Sequence, residues 1–267
     1  MRPVSVLREY GIALRAALKE CAARPTPKRV HTLRTHTRRV EAMLELLPHI
    51  AKLPVVARES ASFGKAAGRV RRGAGAVRDL DVLLAMLAEL PRSADAEVAE
   101  GITKLSGKLE RRRRRAAKRL TRLIGERGEK LLHAMNALES VLAPAQKISA
   151  ADAEIDRIAL EIFRQATARC TARSLAASAN ALHGLRKAAK LTRYLTEAAE
   201  GSPQSKTGLT ARRFHAAQKT IGAWHDWMLL GEFAREHLED GHALLGVLKE
   251  REKTAHGAAL RAGGLVR

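Results

Sequence analysis

Val30-His31-Thr32-Leu33-Arg34, running on through Arg38 to Glu45, returns 152 residues later as Leu182-His183-Gly184-Leu185-Arg186, running on through Lys190 to Glu197. At that offset His31 meets His183, Leu33 meets Leu185, Arg34 meets Arg186, Arg38 meets Lys190 and Glu45 meets Glu197. A second block follows in each half. Arg72-x-x-Gly75-x-x-Arg78-Asp79 corresponds to Lys219-x-x-Gly222-x-x-His225-Asp226 at an offset of 147, and Leu83 and Leu230 continue the register. Two blocks in the same order predict an internal duplication. The halves, residues 1–143 and 150–267, meet near Ala143 to Ser149, where Pro144 breaks the helical pattern.

The residues around the repeat predict an all-α chain. Ala, Leu, Arg, Lys and Glu dominate, all good helix formers, whereas aromatics are 3% of the 267 residues. Helical runs are expected over Val4–Ala23, Thr26–Leu47, Val55–Leu90 and Ser93–Leu142, then over Ala151–Ser174, Ser178–Glu200, Thr207–Leu238 and Glu239–Ala262. Arg24-Pro25-Thr26-Pro27, Pro48, Pro54, Pro91 and Gly201-Ser202-Pro203 punctuate them. Short connections favour antiparallel neighbours, hence one four-helix bundle per half.

Charge then narrows the function. Lys and Arg number 49 against 28 Asp and Glu, a net charge of +21, yet 46% of residues are hydrophobic, so the excess is not that of a disordered tail. Such a charge implies a negative partner: nucleic acid, an acidic surface or protein, or a phosphate polymer. On an ideal helix His31, Arg34 and Arg38 sit at roughly 0°, −60° and −20°, one narrow cationic stripe. Leu33, Val40 and Leu44 fall on other sides. His183, Arg186, Lys187, Lys190, Arg193 and Tyr194 span roughly a third of the circumference of their helix. A face built for stability alternates charge at i and i+4, whereas these stack like charges at a cost of a few tenths of a kcal/mol, roughly, per pair.

A second stripe lies downstream in each half: Lys65, Arg69 and Arg72, then Arg212, His215 and Lys219. Gly75 and Gly222 stand inside those helices, where each costs about 1 kcal/mol relative to alanine, and close helix approach is the expected reason. Asp79 and Asp226, seven residues past Arg72 and Lys219, are placed to hold Arg or His side chains. The run Arg111 to Arg115 wraps its whole helix and reads as a solvated segment that converges on nothing. Trp224 and Trp227 read as core, and His36, His49, His133, His237, His242 and His256 as incidental.

Several function classes find no support. Apolar stretches are short and broken by charge, below the ~20 residues of a spanning helix, so no membrane insertion is expected. Arg8 and Glu9 stand where a signal peptide would have its apolar core. Cys21 and Cys170 make neither a disulfide framework nor a metal cluster, and read as small helix residues in a reducing cytoplasm. There is no Gly-rich phosphate loop, metal-ligand spacing or nucleophile motif.

Taken together, His31-x-x-Arg34-x-x-x-Arg38-Arg39, Val77-Arg78-Asp79-Leu80-Asp81-Val82, His183-x-x-Arg186-Lys187-x-x-Lys190-x-x-Arg193-Tyr194 and His225-Asp226 resemble the CHAD domain, the conserved histidine α-helical domain. The resemblance runs from about residue 3 to 262 and treats the whole chain, 1–267, as one stand-alone domain. It implies two four-helix bundles related by a pseudo-two-fold axis, with a basic groove or pore between them. It also implies binding of inorganic polyphosphate, in the cytoplasm and at polyphosphate granules, with no cofactor. Carried across, the lining comprises His31, Arg34, Arg38, Arg39, Arg78, His183, Arg186, Lys187, Lys190, Arg193 and His225, with Lys65, Arg72, Arg212 and Lys219 added by stripe geometry. Family members are often fused to a CYTH triphosphatase domain with a Glu-x-Glu-x-Lys strand. Glu250-Arg251-Glu252-Lys253 lacks one spacer and sits in a helical run, so no such domain is read.

Two other readings compete. A nucleic-acid binder suits the charge but normally needs exposed aromatic platforms or a base-reading motif. A metal-dependent polyphosphatase or triphosphatase needs clustered acids for Mg²⁺, which the basic stripes lack. Neither the oligomeric state nor a chain-length preference is legible.

Overall fold

The computed structural model describes residues 1–91, 95–171, 174–175, 178–198 and 206–265. Among them are eight long helices: α1 (Pro3–Ala23), α2 (Pro27–Leu46), α3 (Ala57–Ala88), α4 (Ala96–Leu142), α5 (Asp152–Thr167), α6 (Ala179–Ala198), α7 (Lys206–Arg235) and α8 (Ala243–Leu265). The described residues hold no strand, and no helix is long and apolar enough to cross a membrane. Four helices precede Ala143 and four follow it. Ser93, Glu200 and the Gly201-Ser202-Pro203 break lie outside the described residues.

Local chemistry fixes the ends. Thr26 Oγ1 accepts the Arg29 amide at 3.4 Å and Pro27 occupies the first helical position, so α2 starts there and carries His31 and Arg34 in its first two turns. Two ends differ most from expectation. The fifth helix stops at Thr167 rather than Ser174, because Thr171 and Ser174 exchange side-chain bonds: the Thr171 amide donates to Ser174 Oγ at 2.8 Å, and the Ser174 amide donates to Thr171 Oγ1 at 3.0 Å. Short hydroxyl side chains compete in this way with helical bonding. Cys170, expected in a helix, therefore lies in the turn after α5, while Cys21 is buried in α1. The last helix begins at Ala243 rather than Glu239. Gly241 takes a left-handed φ of +85°, and His242 Nδ1 and the Glu97 carboxylate then accept the amides of Leu244 and Ala243.

The chain folds into two compact units, each drawing on both halves of the sequence. The first comprises Met1–Arg78, Arg115–Glu161 and Leu191–Ala211. Its core includes Leu7 and Leu14 of α1, Leu33 and Met43 of α2, Val70 of α3, and Leu120 and Leu138 of α4. Arg15 forks onto Glu139 at 2.9 and 2.8 Å, tying α1 to α4.

The second unit comprises Asp79–Arg114, Ile162–Lys190 and Arg212–Arg267. Leu83, Leu87, Ile102, Leu105, Leu109, Leu230, Leu244 and Leu248 form one buried cluster, in which the repeat-equivalent Leu83 and Leu230 come together. Trp224 is core and Trp227 packs against this cluster.

The arginine run of α4 is less solvated than expected. Arg111, Arg114 and Arg115 are exposed, but Arg113 Nε donates to the buried Asp81 carboxylate at 2.9 Å. Arg112 lies over the Phe233 ring, 4.7 Å from its centroid, and 3.3 Å from His237 Nε2. A run that wraps its helix necessarily turns some members toward neighbouring helices, here α3 and α7. Removing Arg113 strands a buried carboxylate. Arg113→Ala is expected to lower stability by about 3 kcal/mol, and Arg111→Ala to change it by roughly 0.5 kcal/mol or less, in urea unfolding.

Candidate functional site

Each unit gathers part of the predicted cationic set, and the same local device recurs in both. In the first unit α2 presents His31, exposed, and Arg34, Arg38 and Arg39, half-buried. On α3, Lys65 and Arg72 are exposed and Arg78 is half-buried. Arg34 reaches across to α3, where Gly75 makes room for it: a β-carbon on Gly75 would stand 2.7 Å from Arg34 Nη1 and 3.7 Å from Cζ.

One turn further along α2 the charge is partly compensated. Glu41 accepts from Arg38 Nη1 at 3.1 Å and from Arg71 Nε of α3 at 2.9 Å. Burial lowers the Arg38 pKa, with Glu41 opposing and Arg71 and Arg34 adding, but a guanidinium stays charged throughout. Two arginines thus share the one carboxylate of Glu41.

Arg39 and Arg193 point elsewhere. The Arg39 guanidinium lies 5.6 Å from the Tyr10 ring centroid. Arg193, on the part of α6 that belongs to the first unit, donates to Glu197 at 2.8 Å and stacks on Tyr194 at 4.4 Å. Tyr10 is pushed above its ordinary pKa by burial, against the pull of Arg39 and with a smaller push from Glu197. These two arginines thus have aromatic partners, and Arg193 a carboxylate of its own helix.

In the second unit α6 carries His183, Arg186 and Lys190, half-buried, and Lys187, exposed. On α7, Arg212 and Lys219 are exposed and His225 is half-buried. Arg186 repeats what Arg34 does. A β-carbon on Gly222 would stand 3.3 Å from its Nε, 3.5 Å from Nη2 and 3.8 Å from Cζ. His183 and His225 face each other with ring centroids 5.2 Å apart. Burial lowers the pKa of both, and cationic neighbours lower them further: Lys187 and Arg186 for His183, Arg186 and His183 for His225, which falls to about 4. At neutral pH the imidazoles are uncharged hydrogen-bonding groups beside the cations Arg186 and Lys187.

Two cavities lie apart from these residues. One of about 310 Å³ in the first unit is lined by Val4, Leu7, Arg8 and Glu139 among others, and one of about 630 Å³ in the second by Trp224, Met228, Lys249 and His256 among others. Neither includes a member of the repeated cationic set.

The CHAD domain family model matches residues 6–235. The chain belongs to the CHAD domain family. Its fold is similar to the crystal structure of the CHAD domain from the plant Ricinus communis, with a TM-score of 0.67 and 19% identity over 97% of this chain and 89% of that one. It is similarly close to PptA from Streptomyces chartreusis, with a TM-score of 0.66 and 18% identity over 98% of this chain and 97% of that one. No curated protein matches the chain.

In this CHAD domain several site features escaped sequence reasoning. Arg71 has no basic counterpart in the second half, where Gln218 stands at the equivalent offset, so the repeat does not point to it. Glu41 and Glu197 were not recognised as partners of stripe arginines, although i, i+3 and i, i+4 spacing puts them in reach. The glycines were visible, but their occupant is a guanidinium rather than a neighbouring helix backbone.

The lowered His225 pKa makes a stability prediction. Its folded value of about 4 lies below the ordinary ~6.5, so between those values the unfolded chain binds more protons than the folded one. Stability is therefore lost as pH falls from about 6.5 toward 4. Urea unfolding at pH 7, 6, 5 and 4 should show a shallower acid decline for His225→Gln than for the parent.

Proposed function

We propose that this CHAD domain is a non-catalytic module that binds inorganic polyphosphate. The observation that carries the reading is the recurrence, in both copies of the repeated block, of an arginine from the first helix seated on a glycine of the next. This pairing also supports an internal duplication into two four-helix halves, because a chance match of two sequence blocks has no reason to reproduce a side-chain contact.

Polyphosphate offers no base or ring to read, only a regular series of charged oxygens. Arginine forks and lysine point charges suit it, with release of condensed counterions driving association. The histidines add neutral donors that become cationic beside an anion. On this reading the protein needs no cofactor, and it resides where the polymer accumulates, in the cytoplasm and at polyphosphate granules.

Two alternatives are weaker on specific grounds. Base stacking on single strands needs exposed aromatics, and the large hydrophobic side chains exposed among the described residues are Ile12, Val55 and Val141. Metal-assisted phosphoryl transfer needs convergent ligands, and among the described residues no three His, Cys, Asp or Glu side chains are grouped to hold a metal ion.

The test is a titration with long-chain polyphosphate against DNA as competitor. Arg34→Ala with Arg186→Ala is expected to weaken polyphosphate binding by roughly tenfold or more per arginine, as for loss of charged hydrogen bonds. Arg111→Ala should leave it nearly unchanged. The parent's log K should fall linearly with log salt, and the double variant should show a smaller slope. Preference for DNA, or equal losses in both variants, would sink the assignment.

Binding should also strengthen as pH falls from about 7 to 5 at fixed ionic strength. A polyanion beside His183 and His225 favours their charged forms, so the complex has the higher pKa and takes up protons. A His183→Gln, His225→Gln variant should flatten that pH slope while keeping most of the salt dependence, as read by the same titration.

A further inference from the structure

Glycine inside a long helix costs about 1 kcal/mol relative to alanine, so a buried helical glycine needs a local reason. The helices of this chain give different reasons at different places. A β-carbon on Gly73 would meet Leu120 and Leu123, and one on Gly128 would meet Leu18, as expected of helix packing. At Gly64, Gly125, Gly184 and Gly246 it would meet open space. At Gly68, Gly107 and Gly257 the near neighbour is an arginine four residues along the same helix.

Gly75 and Gly222 differ from all of these. Among the described residues they are the helical glycines whose nearest neighbours are guanidinium atoms of another helix. Both are buried, both are at equivalent places in the repeat, and the arginines they receive are equivalent too. Arg186 Nε is buried there with no hydrogen-bond partner, so space rather than a bond holds that end of the fork.

We infer that Gly75 and Gly222 are positioning residues for anion recognition: each omits a β-carbon so that the guanidinium of Arg34 or Arg186 lies against the backbone of the next helix and presents its N–H groups in one orientation. The inference rests on the polyphosphate reading above and extends it from the cations to the surface that aims them. A guanidinium at the end of four rotatable bonds loses considerable freedom when it binds, and confinement in the free protein removes much of that loss. A lysine ammonium has no plane to lay against the helix, so the seat is specific to arginine.

The contact makes alanine informative. The group in the way is the far end of a flexible side chain, which moves aside at little cost, while alanine itself favours the helix. Gly75→Ala with Gly222→Ala should therefore hold or raise the thermal midpoint and still weaken polyphosphate binding by about tenfold, the order of coupling between contacting residues. Gly75→Ala should account for most of the loss, since its β-carbon would stand 2.7 Å from the guanidinium against 3.3 Å at Gly222.

The experiment titrates long-chain polyphosphate into the parent, the glycine pair, Arg34→Ala with Arg186→Ala, and all four changes together. In the arginine-free background the glycine substitutions should change nothing. An equal loss there, or no loss in the glycine pair alone, overturns the positioning role while leaving polyphosphate binding intact. Failure of the parent to bind overturns the functional reading instead. A ligand-free measurement keeps the seat testable even then: the Nε–H signals of Arg34 and Arg186, identified by their loss in the single alanine variants, should show restricted motion relative to Arg111. The glycine pair should abolish that restriction, and arginines as mobile as Arg111 in the parent would rule the seat out. Should the glycine pair not fold, recovery in the fourfold variant supports the collision, and no recovery overturns it.

Discussion

Mutual repulsion among cations is the constraint on which the rest of this structure depends. With a net charge of +21, the chain must hold many positive side chains in defined places without neutralising them all. It does so by three routes that differ in what they leave available. A single carboxylate serves two arginines at Glu41 and one each at Asp81 and Glu197. Aromatic faces support Arg39, Arg112 and Arg193 at Tyr10, Phe233 and Tyr194. Glycine seats receive Arg34 and Arg186. Ion pairing reduces the local field, whereas a glycine seat gives a guanidinium room against the backbone of the next helix.

Much of the fold is legible in the sequence because helix boundaries here are written in local chemistry. Thr26-Pro27 is a cap and first-turn pair readable without any tertiary knowledge, and α2 starts where it says. The failures were local too. Thr171 and Ser174 look acceptable inside a helix until their hydroxyls capture each other's amides. Asp240-Gly241 is a turn signal that falls inside the run expected from Glu239, and Gly241 there takes a left-handed φ. The stripes themselves follow from period alone, which is why His31 with Arg34, and His183 with Arg186, were found.

What period does not carry is the identity of the facing helix. Arg38 reads as one of a like-charged stripe, yet it shares Glu41 with Arg71, which lies 30 residues past Glu41. Arg113 reads as one of five equivalent arginines, yet Asp81 makes it part of the second unit's interior. In both cases the deciding partner comes from α3, and a single helix's periodicity holds no record of it. The glycines were legible as anomalies but not as seats, since an anomaly in propensity states that a reason exists without naming the occupant.

The departures between the two copies have an electrostatic consequence of their own. Where the second copy has His225, the first has Arg78, and where the first has Arg71, the second has Gln218. The first patch therefore carries permanent charge, partly offset by Glu41. The second holds two imidazoles that burial and Arg186 keep uncharged at neutral pH. Burial, Arg186 and His183 together keep His225 uncharged at neutral pH, and an anion beside it would oppose all three. The second patch is therefore one whose charge would respond to an anion placed beside it, by proton uptake at His183 and His225.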